Sequence, residues 1–227
     1  MKKVAIFDID GTIFRSSLLI ELTEALIEEK IFPEKARAIY TRAYKNWSNR
    51  QDSYEKYINS VEVAFEKYIS GVKHDVFIKI AKHVVERNQE RVYRYTRDLV
   101  RDLKKKNYYL LAISDSPKEI VQGFCEKLGF DKVYGRVHEV DKNNRFTDKI
   151  LFLDLISDKA KILKRALKKE NLTLADSIGV GDSESDIPFL KLVVRPICFN
   201  PNGKLYSKAK RAGWPVVVER KDVVYKM

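Results

Sequence analysis

Two carboxylates one residue apart, Asp8 and Asp10, stand in the string Asp8-Ile9-Asp10-Gly11-Thr12, directly after the apolar run Val4-Ala5-Ile6-Phe7. A second acidic string, Gly181-Asp182-Ser183-Glu184-Ser185-Asp186, follows Ser177 to Val180, and Ser114-Asp115-Ser116-Pro117 follows Tyr108 to Ile113. Carboxylates this close repel one another unless a cation or a shared proton stabilises them. Three of them around one point suit a hard cation with oxygen ligands, and magnesium is the usual one beside phosphate. No histidine or cysteine lies near these strings, which argues against zinc. Taken alone, Asp8 and Asp10 also fit a strand-end turn with capping acids, and Ser114 fits the cap of a following helix.

The elements that must hold these residues decide between the two readings. Val4 to Phe7, Tyr108 to Ile113 and Ser177 to Val180 each read as a short buried strand. From Ser16 to about Tyr95 the apolar residues recur at helical spacing, as in Leu18, Leu19, Leu22 and Leu26, then Tyr54, Tyr57, Ile58, Val61 and Phe65. Beyond Tyr95, strands alternate with helices. Pro117 suits the first turn of a helix continuing to Leu128, and Gly129 suits its end. Val137 to Val140 and Arg145 to Thr147 read as a hairpin over Asn143-Asn144. A helix is expected from Ser157 to Lys169, a strand over Val193 to Phe199, a helix over Lys204 to Ala212 and a last strand over Val216 to Val218. This alternation predicts an α/β fold with a Rossmann-like parallel sheet covered by helices on both faces. Ligands bind beyond the carboxyl ends of such strands, so three separate pieces of sequence point to one place.

Composition is consistent with that picture. The chain has 227 residues, 44% hydrophobic and 33% charged, with a formal net charge of +12. That balance favours anionic partners: phosphorylated metabolites, nucleic acid or acidic membrane surfaces. The runs Arg101 to Lys106 and Lys164 to Lys169 carry apolar residues between their charges, as solvated faces of amphipathic helices do. Cys125 and Cys198 have neither disulfide-framework nor zinc spacing, which fits a reduced, cytoplasmic setting. Neither a signal peptide nor a membrane span is expected.

The strings DIDGT, Ser114, Lys159 and GDSESD, in that order and spacing over essentially the whole chain, resemble the four motifs of the haloacid dehalogenase superfamily of phosphatases. The 23-residue step from Lys159 to Asp182 and the tail NPNGKLYSKAKRAGWPV resemble the phosphoserine-phosphatase-like branch. The helical stretch after the first motif resembles the family's C1 cap. The resemblance implies a catalytic core over 1–15 and 96–227, with an all-helical cap inserted over 16–95. It implies Asp8 as nucleophile, forming an aspartyl-phosphate, and Asp10 as general acid and then base. It implies Mg2+ held by Asp8, the Asp10 carbonyl and Asp182, with Asp186 supporting, and a phosphoryl group held by Ser114 and Lys159. Lys161, two residues on, competes with Lys159 for that place.

Other points stay open. Asp115, a candidate substrate-binding residue, stands beside Ser114, where relatives usually carry small residues, and Arg15 lies close enough in sequence to reach an anionic substrate or to sit on the surface. Ser17 stands where phosphoserine phosphatases carry a substrate-binding glutamate, and Lys56 or Tyr57 lies near the place of their cap arginine, so phosphoserine is a weak candidate. A closed cap favours small phosphorylated metabolites, with Tyr40, Tyr44, Tyr54, Tyr57 and Tyr68 as candidate pocket residues. Two alternatives remain: a phosphomutase or phosphotransferase using the same intermediate, and a basic nucleic-acid-binding protein on an inactive fold. The intact set Asp8, Asp10, Ser114, Lys159 and Asp182 speaks against the second.

Overall fold

The computed structural model describes residues 1–227. They fall into two units: Met1–Ser17 with Gln89–Arg136 and Phe152–Met227, and Leu18–Asn88 with Val137–Leu151. No helix is long and apolar enough to cross a membrane.

The first unit is built on a sheet whose middle strand, β1 (Lys2–Phe7), is flanked on both sides by parallel neighbours. A strand covered on both faces must be apolar throughout, and Val4 to Phe7 are all fully buried. On one side lie β2 (Tyr109–Pro117) and then β3 (Lys132–Val140), through its residues up to Arg136. On the other lie β5 (Leu172–Gly181), β6 (Arg195–Phe199) and β7 (Val216–Arg220), all parallel, and β8 (Val223–Lys226), antiparallel to β7. The order of strands reverses at β1, and its carboxyl end is therefore the crevice such sheets use for ligands.

Successive side chains of β1 face opposite ways. Val4 and Ile6 join a core formed with Leu111, Ile113, Ile162, Leu163, Phe189 and Leu205. The ring of Phe7 meets Phe130 edge-on at 5.8 Å. Each large apolar side chain so buried contributes roughly 1.5–3 kcal/mol. The helices of this unit are α5 (Arg94–Lys105), α6 (Lys118–Leu128), the short α7 (Leu153–Ile156), α8 (Lys159–Lys169), α9 (Ile187–Leu190) and α10 (Gly203–Ala212). Gly129 closes α6 in the left-handed conformation at φ 76°.

Several elements differ from the bounds that the sequence predicts; β5, for one, begins at Leu172 and not at Ser177. β2 continues through Ser114 and Ser116 to Pro117, whose ψ of 134° is extended, so α6 begins one residue later. The helix expected from Ser157 to Lys169 begins at Lys159, because the Asp158 carboxylate accepts from the Ala160 N–H at 2.8 Å and caps α8 there; the short α7 before it is a separate helix. β8 was not anticipated, since Val223-Val224-Tyr225 is short and follows no glycine or asparagine turn.

The second unit holds α1 (Leu18–Glu28), α2 (Arg37–Ser48), α3 (Tyr54–Ile69) and α4 (His74–Asn88). Grouped with these helices are the far end of β3 and its antiparallel partner β4 (Phe146–Leu151). Phe146 packs edge-on against Phe77 at 4.8 Å, and its carbonyl accepts from the Gly71 N–H at 2.8 Å. His138 is buried and its Nε2 lies 2.9 Å from Glu66 Oε1.

Candidate active site

The first acidic pair is set by the end of β1. The Asp8 N–H donates to the Val180 carbonyl at 2.9 Å, which ties this strand end to the end of β5. The chain then turns sharply, with the Ile9 carbonyl accepting from the N–H groups of Ile13 and Phe14, both at 2.9 Å. Gly11 sits in this turn at φ 79°, and a Cβ there would lie 2.2 Å from Asp182 Oδ2. Only glycine allows both the conformation and the approach. Gly181 is constrained similarly, because a Cβ would come within 2.5 Å of the Asp186 side chain.

Lys159, the first residue of α8, is 4% exposed and ties the carboxylates together. Its Nζ donates to Asp8 Oδ1 at 2.8 Å and to Asp186 Oδ1 at 2.6 Å, and lies 3.7 Å from Asp115 Oδ2. Burial opposes its charge, but Asp186, Asp8 and Asp115 outweigh that, and its pKa is raised well above the ordinary lysine value. Burial drives the Asp8 pKa well upward, with Lys159 opposing and Asp186 and Asp10 reinforcing. Asp182 is raised in the same way, first by burial and then by Asp8 and Asp186. Lys161 is exposed, with its Nζ donating to the Asp154 carbonyl at 3.2 Å.

Asp186 is fully buried. Beyond Lys159, it accepts through Oδ2 from the N–H groups of Asp182 at 2.9 Å and Ser183 at 3.0 Å. It therefore braces the loop that carries Asp182. Asp10 is held by β2: Ser114 Oγ donates to Asp10 Oδ2 at 2.6 Å and Ser116 Oγ donates to the same oxygen at 2.9 Å. Ser116 is not among the candidate residues that the sequence motifs point to. Its signal was the alternation of a strand, which puts residues two apart on one face.

Asp115, between the two serines, has a half-exposed side chain that reaches only the edge of the Lys159 cluster. Arg15 is exposed, with its guanidinium 5.7 Å above the Tyr93 ring. Tyr93 feels Asp182: burial first, then that charge, raises its hydroxyl pKa. Ser17 is buried. In the helical unit, Lys56 is exposed and paired with Asp52 at 3.0 Å, while Tyr57 is buried and stacks on Trp47 at 5.4 Å.

One oxygen of each of Asp8, Asp182 and Asp186 lies within 4.8 Å of the others. Asp8 Oδ2 is buried and has no hydrogen-bond partner. A buried anionic oxygen without a donor is costly unless something positive meets it. An all-oxygen carboxylate set around such an atom fits a hard divalent cation.

Lys159→Met should lower stability by about 3–5 kcal/mol at neutral pH, since it leaves buried carboxylates without their counter-charge. The loss should shrink on acidification. Removing Lys159 takes away the influence that holds the Asp8 pKa down, so the folded variant binds protons more tightly than the unfolded chain and gains stability as pH falls. Thermal melts at pH 5 and pH 8 check this; an equal loss at both would contradict it.

The haloacid dehalogenase-like hydrolase model matches residues 5–191 of the chain. The sequence is similar to the histidinol-phosphatase of Neisseria meningitidis serogroup C (strain 8013), with 25% identity over 226 residues, covering 96% of this chain and 99% of that one. Among solved structures, a protein of unknown function from Bordetella pertussis Tohama I superposes with a TM-score of 0.75 at 18% identity, covering 95% of this chain and 98% of that one. A phospho-aspartyl intermediate analogue of phosphoserine phosphatase superposes with a TM-score of 0.64 at 21% identity, covering 97% and 95%.

Proposed function

The chain belongs to the haloacid dehalogenase-like hydrolase family, and on that premise we propose that it is a Mg2+-dependent phosphatase hydrolysing small phosphate monoesters through a phosphorylated Asp8. The observation that carries this reading is the buried Asp8, fixed through Oδ1 by Lys159 while Oδ2 is without a donor. The similar histidinol-phosphatase, matched along nearly its whole length, supports a phosphate monoester as the substrate class.

Asp8 attacks phosphorus, and the bond from phosphorus to the leaving oxygen breaks as Asp10 gives that oxygen a proton. A water molecule then attacks the phosphorus of the aspartyl-phosphate and passes a proton to Asp10. Inorganic phosphate departs and the Asp8 carboxylate is restored. Ser114 and Lys159 donate to the phosphoryl oxygens, where negative charge is held during transfer. Mg2+ bound by Asp8, the Asp10 carbonyl and Asp182, with Asp186 bracing, would neutralise part of the charge on the phosphate and the nucleophile.

The helical unit would act as the cap that selects the substrate. Ser17 in place of a glutamate argues against a substrate held by its amino group as phosphoserine is. Buried, unpaired Cys125 and Cys198 fit work in the cytoplasm. The test is phosphate release from a panel of small phosphomonoesters with Mg2+. Release from at least one compound, at a rate depending on its organic part, is the expected result. Transfer of the phosphoryl group to a sugar hydroxyl in place of water would instead make the protein a phosphomutase or phosphotransferase.

A further inference from the structure

We propose that Ser116 is a positioning residue that keeps the Asp10 carboxylate oriented during turnover, while the Ser114 hydroxyl leaves Asp10 for the phosphoryl group. The inference rests on the phosphatase reading above. Both serines are 2% exposed, and both donate to Asp10 Oδ2. Asp115 between them has a half-exposed side chain whose Oδ2 lies 3.7 Å from Lys159 Nζ. The β2–β3 register shifts between Ile113 and Pro117, so this stretch is released from the regular ladder and re-aimed. Pro117 in turn biases Ser116 to extended backbone, which keeps its hydroxyl on the same face as that of Ser114.

A serine hydroxyl has one proton to donate. That of Ser114 goes to Asp10, while its oxygen accepts from the Ser116 N–H at 3.0 Å. When Ser114 donates to a phosphoryl oxygen, its bond to Asp10 must break. Ser116 has no such second task in the reaction, so its donation to Oδ2 persists. Rotation of a carboxylate about its last torsion is soft, and one donor fixed on Oδ2 also sets the direction of Oδ1. A general acid must be held within hydrogen-bond reach of the oxygen it protonates.

The consequence depends on the leaving group. An alkyl phosphate needs a proton on its departing oxygen, whereas p-nitrophenyl phosphate leaves as a stabilised anion and needs little help. Asp10 also takes the proton of the hydrolytic water, a step that both substrates share, so the readout is kcat/KM, which reports phosphorylation of Asp8 alone. Ser116→Ala should lower it about tenfold on an alkyl phosphomonoester and less than about twofold on p-nitrophenyl phosphate. Ser116→Cys, nearly the same shape but a weak donor, should show the same split, and it provides the readout if the alanine variant does not fold. A loss of kcat/KM of equal size on both substrates, or an unchanged kcat/KM on the alkyl ester, would overturn the inference. Asp8→Asn is assayed alongside. If it is silent while the serine variants show no split, this inference alone fails; if it turns over, the phosphatase reading fails and takes this inference with it.

Discussion

Asp8→Asn should abolish turnover, with kcat reduced by about 10⁴-fold or more, because an amide can neither attack phosphorus nor carry the phosphoryl group. The fold should survive. The substitution keeps shape, and Lys159 retains Asp186 at 2.6 Å and Asp115 at 3.7 Å. It also removes a carboxylate whose charge is disfavoured by burial, so the melting temperature should stay level or rise. Paired turnover and melting measurements check both halves. Residual activity above a few per cent, after exclusion of deamidation back to aspartate, would remove Asp8 as the nucleophile.

The second large effect is metal removal. EDTA should silence the enzyme, and excess Mg2+ should restore it. Ca2+ should substitute poorly, since its larger and looser coordination suits the site less well. Mg2+ should also raise the melting temperature, because it binds the folded carboxylate set and not the unfolded chain; saturation at a hundredfold above its Kd corresponds to about 2.7 kcal/mol. The sign of the pH dependence follows from Asp8 and Asp182, whose folded pKa values are raised. In the metal-free protein, the stability these groups contribute is complete below their unfolded pKa values and is lost as pH rises through the folded ones. Protons and Mg2+ compete for the same oxygens, so the stabilisation by Mg2+ should be larger at pH 8 than at pH 5. Full activity in chelator, or a melting temperature indifferent to Mg2+, would contradict the assignment of the acidic cluster.

Much of this site was legible because its acids stand directly after buried strands. A carboxylate that ends a run such as Val4 to Phe7 has one place to go in a parallel sheet: the carboxyl edge, where β1 and β5 lie side by side. Lys159 and Lys161 could not be separated by chemistry, since both are lysines two residues apart. The separation comes from the break before α8: Asp158 caps the helix at its own start, and that places Lys159 inward and Lys161 in solvent. The polarity of Ser114-Asp115-Ser116 hid the continuation of β2, because serine and aspartate are poor strand formers and Pro117 reads equally well as a helix start. The grouping of the β3–β4 hairpin with the helices depends on contacts such as Phe77 with Phe146, far apart in the chain, which no local pattern encodes.

The most direct test of a phosphorylated Asp8 is acid quenching of the enzyme during turnover of a preferred phosphomonoester, followed by mass analysis of its peptides. One phosphoryl group on the peptide carrying Asp8, rising within the first turnover and absent from Asp8→Asn, is the expected result. Steady turnover with no phosphoryl group on that peptide at any quench time would contradict the account.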